Sequence, residues 1–159
     1  MSWIKPNFLW MMYRSGWGTK PGQEVTLAIQ LKRSFFDCIL ELAVASNYGQ
    51  ATSFENPEQW KQALASSNVR LQWDPDHNPS GQKEERKAIQ LGLRNEQLIE
   101  YGRDAILEIL DISKFVAEQR SAANGDFTEL VIPEEKIYIP SSELAQRNID
   151  LAKYLQRSC

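Results

Sequence analysis

The chain has 159 residues, of which 42% are hydrophobic and 25% charged, and its net charge is −3. This length and composition are typical of a globular domain with its own apolar core, so we expect a single domain over residues 1–159. Residues 1–33 carry five basic side chains against one acidic, a net charge of +4, which leaves −7 on the remainder. An acidic body excludes the broad basic surface that duplex nucleic acid requires, but the local positive charge suits a small anionic ligand.

The cysteine and histidine counts restrict the compartment and the cofactors. Two cysteines, Cys38 and Cys159, form no C-x-x-C pair, which excludes a disulfide framework and predicts a reducing, cytoplasmic location. A single histidine and no cysteine cluster argue against zinc or non-haem iron, so no metal site is predicted. The dense apolar run at residues 8–13 is too short to span a membrane, and we expect no membrane partner.

The N-terminal segment, residues 3–17, holds three of the five tryptophans. Pro6 predicts the start of a helix, because its fixed φ suits the first turn. On that helix Trp10 and Arg14 lie four residues apart and share a face. A glycine-rich, cationic loop follows at residues 16–22, of the kind that can turn backbone N–H groups toward an anion. Its spacing is not that of a P-loop, which excludes a nucleoside triphosphatase of that type.

Two interpretations of this segment compete. In the first, its aromatic and aliphatic residues are core, as in most aromatic-rich helices. In the second, an aromatic ring stacks on a base or sugar while cations hold phosphate. The second interpretation gives these candidate ligand-binding residues: Lys5, Trp10, Arg14, Trp17, Lys20, Gln23 and Trp73. It also gives two candidate catalytic residues, Glu24 and Gln90, polar groups on or beside strands that could orient a sugar hydroxyl or act as a base.

Downstream, strands and helices alternate irregularly. Residues 24–32 predict a strand with one buried face, formed by Val25, Leu27, Ile29 and Leu31. Helices are predicted over residues 34–46, 56–66, 95–101, 113–122 and 142–155, and further strands over residues 69–73, 87–93, 130–132 and 136–139. Residues 104–111 fit either a buried strand or a continued helix. The pattern predicts an α+β domain, with a mixed or antiparallel sheet of about five strands and flanking helices.

Residues 74–85 place oxygen-bearing side chains at six positions of a calcium-binding loop. The sixth position of such a loop requires glycine for its sharp turn, and Pro79 stands there instead. The flanking segments have strand rather than helix patterns, so we interpret residues 74–81 as an ordinary exposed loop. His77 lies in this loop and is expected to be a solvated imidazole.

Several distinct short motifs follow one another along the chain. They are Trp3-Ile-Lys-Pro6, Phe8-Leu-Trp-Met-Met-Tyr-Arg-Ser-Gly-Trp17, Gln23-Glu24, Val69-Arg-x-Gln-Trp-Asp-Pro75, Ile89-Gln-x-Gly-Leu93 and Pro133-x-Glu-x-x-Tyr138. Together they resemble a microbial family described only as domain of unknown function 4291, over almost the whole chain. Its members usually carry a further strand-and-helix unit ahead of the first motif, so the resemblance implies that this chain lacks it. The element order resembles the ADP-ribosyltransferase type of fold, which implies a dinucleotide cleft and makes NAD a possible cofactor.

The sequence supports three functional hypotheses from different classes. In the first, the N-terminal segment binds a small anionic nucleotide-type ligand, possibly NAD, with ADP-ribosyl-transfer-type chemistry. In the second, the tryptophan-rich face is a non-catalytic interaction or dimerisation surface. In the third, the same residues bind single-stranded nucleic acid, which predicts a steep salt dependence.

Overall fold

A computed structural model describes residues 1–155 and confirms the α+β class, with helices packed around two separate sheets. The strands are β1 (Ser2–Ile4), β2 (Leu27–Leu31), β3 (Ala43–Ala45), β4 (Val69–His77), β5 (Lys83–Leu93) and β6 (Ile106–Asp111). The helices are α1 (Phe8–Ser15), α2 (Arg33–Glu41), α3 (Pro57–Ser66), α4 (Asn95–Glu100), α5 (Ser113–Ala123), α6 (Glu143–Asn148) and α7 (Leu151–Leu155). Within residues 1–155, no helix has the length and apolar character that crossing a membrane requires. Cys159 lies outside the described residues.

The larger sheet is mixed and has the strand order β1-β5-β4-β3. An antiparallel β4–β5 hairpin forms its centre, β1 pairs antiparallel with β5, and β3 pairs parallel with β4. Alternation along the hairpin turns one set of apolar side chains to a single face, where they pack with Ile39 and Leu40 of α2. These fully buried strand residues are Val69, Leu71, Leu91 and Leu93. This face of the sheet is the main core.

A smaller core lies between α1 and α5. Met12 and Trp17, from α1 and the loop that follows it, pack there with Val116 of α5. Trp17 is 9% exposed, and its ring lies edge-to-face on Phe8 with centroids 5.9 Å apart. Gly16 ends α1 with a φ of 59°, a left-handed conformation that glycine adopts without strain. Trp17 is therefore a core residue.

The smaller sheet, which we call the β2–β6 ribbon, consists of β2 and β6 paired antiparallel with Ile29 opposite Ile109. Within the described residues it pairs with no strand of the larger sheet. The β2 strand that the alternation predicts is confirmed, but the burial of its apolar face is not. Val25, Leu27 and Ile29 are exposed, and only Leu31, at one end, packs on the main core.

Three segments have a structure that differs from the prediction or that the pattern leaves open. The helix predicted over residues 34–46 ends at Glu41, and residues 43–45 form β3 instead. β4 continues to His77, so the loop predicted at residues 74–81 is wrong over its first half. Pro75 is tolerated there because the pairing register of the hairpin shifts beside it. Residues 104–111, which fit either helix or strand by pattern, contain the end of a π-helical turn (Tyr101–Ala105) and then β6.

In the C-terminal third, the secondary structure differs most from the one that the sequence predicts. The strands predicted at residues 130–132 and 136–139 are wrong, since neither segment pairs with another strand within residues 1–155. Pro133 and Pro140 follow them, and each proline removes a backbone donor that a ladder would need. The helix predicted over residues 142–155 is split into α6 and α7 at Asp150, which has a φ of 53°.

Candidate functional site

Polar side chains meet between α1 and the β4–β5 hairpin, around the carboxylate of Asp74. Gln90 Nε2 lies 2.9 Å from Oδ2, Gln72 Nε2 lies 3.1 Å from Oδ1, and Lys5 Nζ lies 3.5 Å from Oδ2. The ring of Trp10 adjoins this set, with its centroid 4.0 Å from Lys5 Nζ. We call Lys5, Trp10, Gln72, Asp74 and Gln90 the Asp74 cluster.

Strand register explains why these residues meet. Gln72 is paired with Gln90, and Asp74 lies two residues further along β4, so alternation puts all three on the face opposite the main core. β1 pairs with β5 and ends one residue before Lys5, which delivers the lysine to the same face just ahead of α1. Trp10 then follows on the helix that crosses the hairpin.

Lys5 is unusually buried for a lysine, with a side chain only 4% exposed. Besides facing Asp74, its Nζ donates a hydrogen bond to the Ala88 carbonyl oxygen at 3.2 Å. Burial lowers the pKa of Lys5 from 10.5 to about 8, and the charges of Asp74 and Asp76 oppose part of that shift. The Lys5 amine therefore titrates closer to neutral pH than an exposed lysine does.

A second set of charges joins the hairpin to the start of α1. Asp76 is fully buried; its Oδ2 lies 2.6 Å from Arg86 Nη2, and its Oδ1 accepts the His77 backbone N–H at 2.9 Å. Arg86 also lies 3.6 Å from Glu135, whose Oε1 accepts a hydrogen bond from the Phe8 N–H at 2.7 Å. Glu135 therefore caps α1 from a distant part of the chain and places a negative charge where the helix dipole favours it.

His77 is not the solvated side chain that the sequence predicts. It is 3% exposed, because α1 covers it and its ring stacks on Tyr13 with centroids 3.7 Å apart. Neither ring nitrogen has a hydrogen-bond partner among residues 1–155. Burial, the largest cause, lowers the pKa of His77, and the charge of Asp76 offsets part of the shift. Burial therefore favours the neutral imidazole, which holds the hairpin against α1 by ring contact.

We expect the free energy of unfolding to rise as the pH is raised from about 5 to 7. The folded-state pKa of His77 lies below the unfolded value of 6.5, so in this window the unfolded chain binds more protons and acid favours it. His77→Phe keeps a ring against Tyr13 and should flatten the dependence. Urea denaturation at about pH 5, 6, 7 and 8 measures it, and His77 is the only histidine. An unchanged slope in the variant would show that His77 titrates freely when folded.

The backbone N–H groups in the glycine-rich loop at residues 16–22 form hydrogen bonds within the loop and with α1. The N–H groups of residues 16–20 all donate hydrogen bonds back to residues 12–16, so they are not free to hold an anion. The side chains of Arg14 and Lys20 remain exposed, and Lys20 Nζ donates to the Arg14 carbonyl oxygen at 2.7 Å. These two neighbouring cations at the end of α1 are the part of the loop region suited to phosphate.

The other residues predicted for the site lie elsewhere. Trp73 is on the core face of β4, where its indole N–H donates to the Ile149 carbonyl oxygen at 3.0 Å. Glu24 is exposed, Gln23 is half-buried, and neither side chain has a hydrogen bond or ion pair with another residue of the described chain. Of the nine residues predicted, three lie in the Asp74 cluster: Lys5, Trp10 and Gln90.

Sequence reasoning missed the two carboxylates, Asp74 and Asp76, at the centre of these contacts. The signal that identifies them is the alternation of residues 69–76, in which polar side chains at even positions separate apolar ones at odd positions. Pro75 conceals this pattern, because proline beside aspartate is typical of a turn.

A cavity of about 260 Å³ lies between the start of α2 and the π-helical turn. It is lined by Lys32, Ser34, Phe35, Glu100, Asp104 and Ala105, none of which belongs to the Asp74 cluster. Two carboxylates against one ammonium give this cavity a net negative charge, which does not suit an anionic ligand.

Comparison with known proteins gives the family. The family model described as Domain of unknown function (DUF4291) matches residues 1–138, most of the chain. The chain belongs to the DUF4291 family. The DUF4291 match includes the whole Asp74 cluster, and it starts at residue 1, so it gives no evidence for the prediction that a strand-and-helix unit is missing ahead of the first motif. No curated protein and no solved structure matches the chain, and the likeness to the ADP-ribosyltransferase fold stays a prediction.

Proposed function

We propose that this DUF4291 protein binds a small anionic nucleotide-type ligand, with NAD as the first candidate, along α1 and the Asp74 cluster. The observation that supports the proposal is the convergence of Lys5 and Gln90 on the Asp74 carboxylate, with the Trp10 ring against the Lys5 ammonium. The sequence predicts Lys5 and Trp10 as ligand-binding residues and Gln90 as a catalytic one, and Gln90 is far along the chain from the N-terminal segment that holds the other two. An indole beside a carboxylate and an amide is a suitable set for a base and a ribose.

The phosphates of the ligand would lie on Arg14 and Lys20 rather than on Lys5. Lys5 is almost fully buried, and its ammonium is occupied by Asp74 and Ala88. Arg14 and Lys20, in contrast, are exposed and adjacent. One helical turn, about 5.4 Å, separates Trp10 from Arg14, a spacing that a nucleotide can span.

Lys5 has a positioning role in this proposal. Its ammonium contacts the Trp10 ring and one oxygen of Asp74, so it holds the indole and the carboxylate relative to each other. Chemistry on the ligand would use Asp74, which lies beside Gln90, whereas Glu24 makes no contact with the cluster. This replaces the catalytic role that the sequence suggested for Glu24.

Calorimetry and thermal unfolding with NAD, ADP and AMP test the proposal. A ligand at about ten times its Kd should raise the free energy of unfolding by about 1.4 kcal/mol and the Tm by roughly 3–6 °C. Arg14→Ala and Lys20→Ala should each weaken the affinity about tenfold, because each removes one charge-assisted contact to phosphate.

The matched control is Lys114→Ala. Lys114 is an exposed cation on α5, paired with Glu118 at 3.8 Å, and its loss should leave nucleotide affinity unchanged. The proposal fails if none of the three nucleotides shifts the Tm at millimolar concentration, or if Arg14→Ala and Lys114→Ala behave alike. A short single-stranded oligonucleotide that binds more tightly than AMP, with affinity falling steeply in salt, would favour nucleic-acid binding instead.

The tryptophan-rich face has less support as an interaction surface. Trp3 is 48% exposed, Trp10 is partly covered, and Trp17 is buried in the smaller core. The three indoles therefore do not form one exposed apolar patch.

A further inference from the structure

Arg70 is a half-buried cation near the start of β4. Its guanidinium forms no hydrogen bond or ion pair with another residue of the described chain. Side chains of β4 alternate between the two faces of the sheet, so Arg70 lies on the same face as Gln72 and Asp74. The polar face that holds the Asp74 cluster therefore continues to an unpaired cation, about 13 Å along the strand from Asp74.

The charged neighbour of Arg70 is a second arginine, Arg94, which comes directly after β5. Burial lowers the pKa of Arg70, and the positive charge of Arg94 lowers it further. Both guanidiniums stay charged, because arginine does not lose its proton in proteins. Arg94 already has acceptors, since its Nε donates to the Ser67 carbonyl oxygen at 2.9 Å and its Nη2 donates to the Ala65 carbonyl oxygen. Within residues 1–155, Arg70 is the member of this like-charged pair that lacks an acceptor, and an anion from outside the chain would supply one.

An aromatic surface lies across the sheet from Arg70. Trp3 of β1 is paired with Gly92, and Gly92 is paired with Arg70, so the three residues form a row across three strands on one face. A Cβ on Gly92 would lie 3.0 Å from two atoms of the Trp3 ring and 2.8 Å from Met1 Sδ. Glycine therefore lets the indole extend over β5 toward Arg70. Trp3 is still 48% exposed, which leaves one side of its ring open.

We propose that Trp3 and Arg70 form a second ligand subsite, which binds an aromatic oxyanion: a flat ring that carries a phosphate or a carboxylate group. The ring would stack on the open side of the indole. The oxyanion would bind the guanidinium, whose planar fork of donors matches either group. Because the two Cα atoms are two strand spacings apart, about 10 Å, one small molecule can contact both side chains.

This subsite is separate from the phosphate position proposed at Arg14 and Lys20. Those two cations lie at the C-terminal end of α1, whereas Trp3 precedes that helix in β1. The second subsite therefore does not depend on nucleotide binding, and the two proposals can fail independently.

NMR titrations of isotope-labelled protein with phenyl phosphate and with benzoate test the proposal. The Trp3 indole N–H and the Arg70 Nε–H signals should both shift and should saturate with the same Kd. The tighter of the two ligands identifies the preferred oxyanion. Benzylamine, which has a similar ring and the opposite charge, should shift neither signal. Inorganic phosphate should bind about tenfold or more weakly than phenyl phosphate, because it lacks the stacking contact.

Arg70→Met keeps the apolar stem of the side chain and removes its charge. It should weaken binding of the preferred anion about tenfold or more, because a hydrogen bond between two charged groups is lost. Trp3→Leu should weaken it to a similar extent. Without ligand, Arg70→Met should melt at the wild-type temperature or above it, since the charged neighbour of Arg70 is another cation. A purely structural role for Arg70 would lower the melting temperature instead.

The matched control is Arg103→Met. Arg103 is exposed on the π-helical turn, which packs on the main core, and it also has no hydrogen bond or ion pair in the described chain. Its loss should leave the affinity for both anions unchanged. Circular dichroism shows whether each variant is folded, and if Trp3→Leu is not, Arg70→Met decides.

The proposal is overturned if neither anion shifts the Trp3 and Arg70 signals at millimolar concentration, or if benzylamine binds as well as benzoate. It is also overturned if Arg70→Met and Arg103→Met bind alike. Binding that Arg14→Ala or Lys20→Ala weakens and Arg70→Met does not would belong to the nucleotide position, which overturns it too.

Discussion

Replacing Arg86 with methionine is expected to lower the free energy of unfolding by about 3 kcal/mol. Asp76 is fully buried, and the variant would leave its charge without the guanidinium that lies 2.6 Å from Oδ2. No hydrogen bond to that oxygen exists elsewhere among residues 1–155. Removing one partner of a buried pair costs about 3–5 kcal/mol, and the half-exposed side chain of Arg86 puts the expected loss at the lower end. Urea denaturation measures it.

The control for Arg86→Met is the equivalent substitution in a solvent-exposed ion pair. Lys136 lies 3.6 Å from Glu134 with both side chains 79% exposed, so Lys136→Met should change the stability by no more than about 0.5 kcal/mol. Adding Asp76→Asn to Arg86→Met should recover about half of the loss, because no buried charge then remains. Equal losses for Arg86→Met and Lys136→Met would mean that Asp76 is hydrated in solution.

Trp73→Ala is expected to lower the free energy of unfolding by about 3 kcal/mol while leaving nucleotide affinity unchanged. The ring packs on Tyr154 with centroids 4.3 Å apart, and its N–H bonds the Ile149 carbonyl oxygen. The side chain therefore joins β4 to the C-terminal helices, on the opposite side of the sheet from the Asp74 cluster. Urea denaturation and calorimetry with NAD measure the two effects separately.

Trp10→Ala is the matched substitution on the other side of the sheet. It should weaken nucleotide binding about tenfold or more, since one stacking contact contributes about 1–3 kcal/mol. Its cost in stability should be smaller than that of Trp73→Ala, because Trp10 lies outside both apolar cores. If the Trp73→Ala protein is folded but binds nucleotide more weakly, Trp73 contributes to ligand binding, as the sequence predicts.

Local signals predicted much of the secondary structure. Asn56 and Pro57 indicate the start of α3, and the Asn56 side chain accepts the Gln59 N–H at 2.9 Å as that pattern requires. Ser142 likewise caps α6 by accepting the Ala145 N–H. Both capping contacts join residues three positions apart, so a short stretch of sequence is enough to predict them. β1 and β3 could not be found this way, because three residues are too few to show a period.

The site was predicted only in part, because its contacts are long-range. Lys5 and Asp74 are 69 residues apart, and their contact depends on where β1 joins the sheet and how α1 crosses the hairpin. The burial of His77 has the same origin, since a polar loop and a polar strand beneath a helix have similar local patterns. Composition identified Lys5 and Trp10 as unusual, but only the strand register shows that they meet a carboxylate.

The Glu135 cap has a consequence for how the chain is made. Phe8 emerges from the ribosome 127 residues before Glu135, its hydrogen-bond acceptor. An eight-residue helix is marginal by itself, and this contact cannot hold α1 until Glu135 has been translated. The aromatic segment of α1 would then stay accessible to chaperones while the following residues are made, and this helix would become fixed only after the described elements between it and Glu135 have been synthesised.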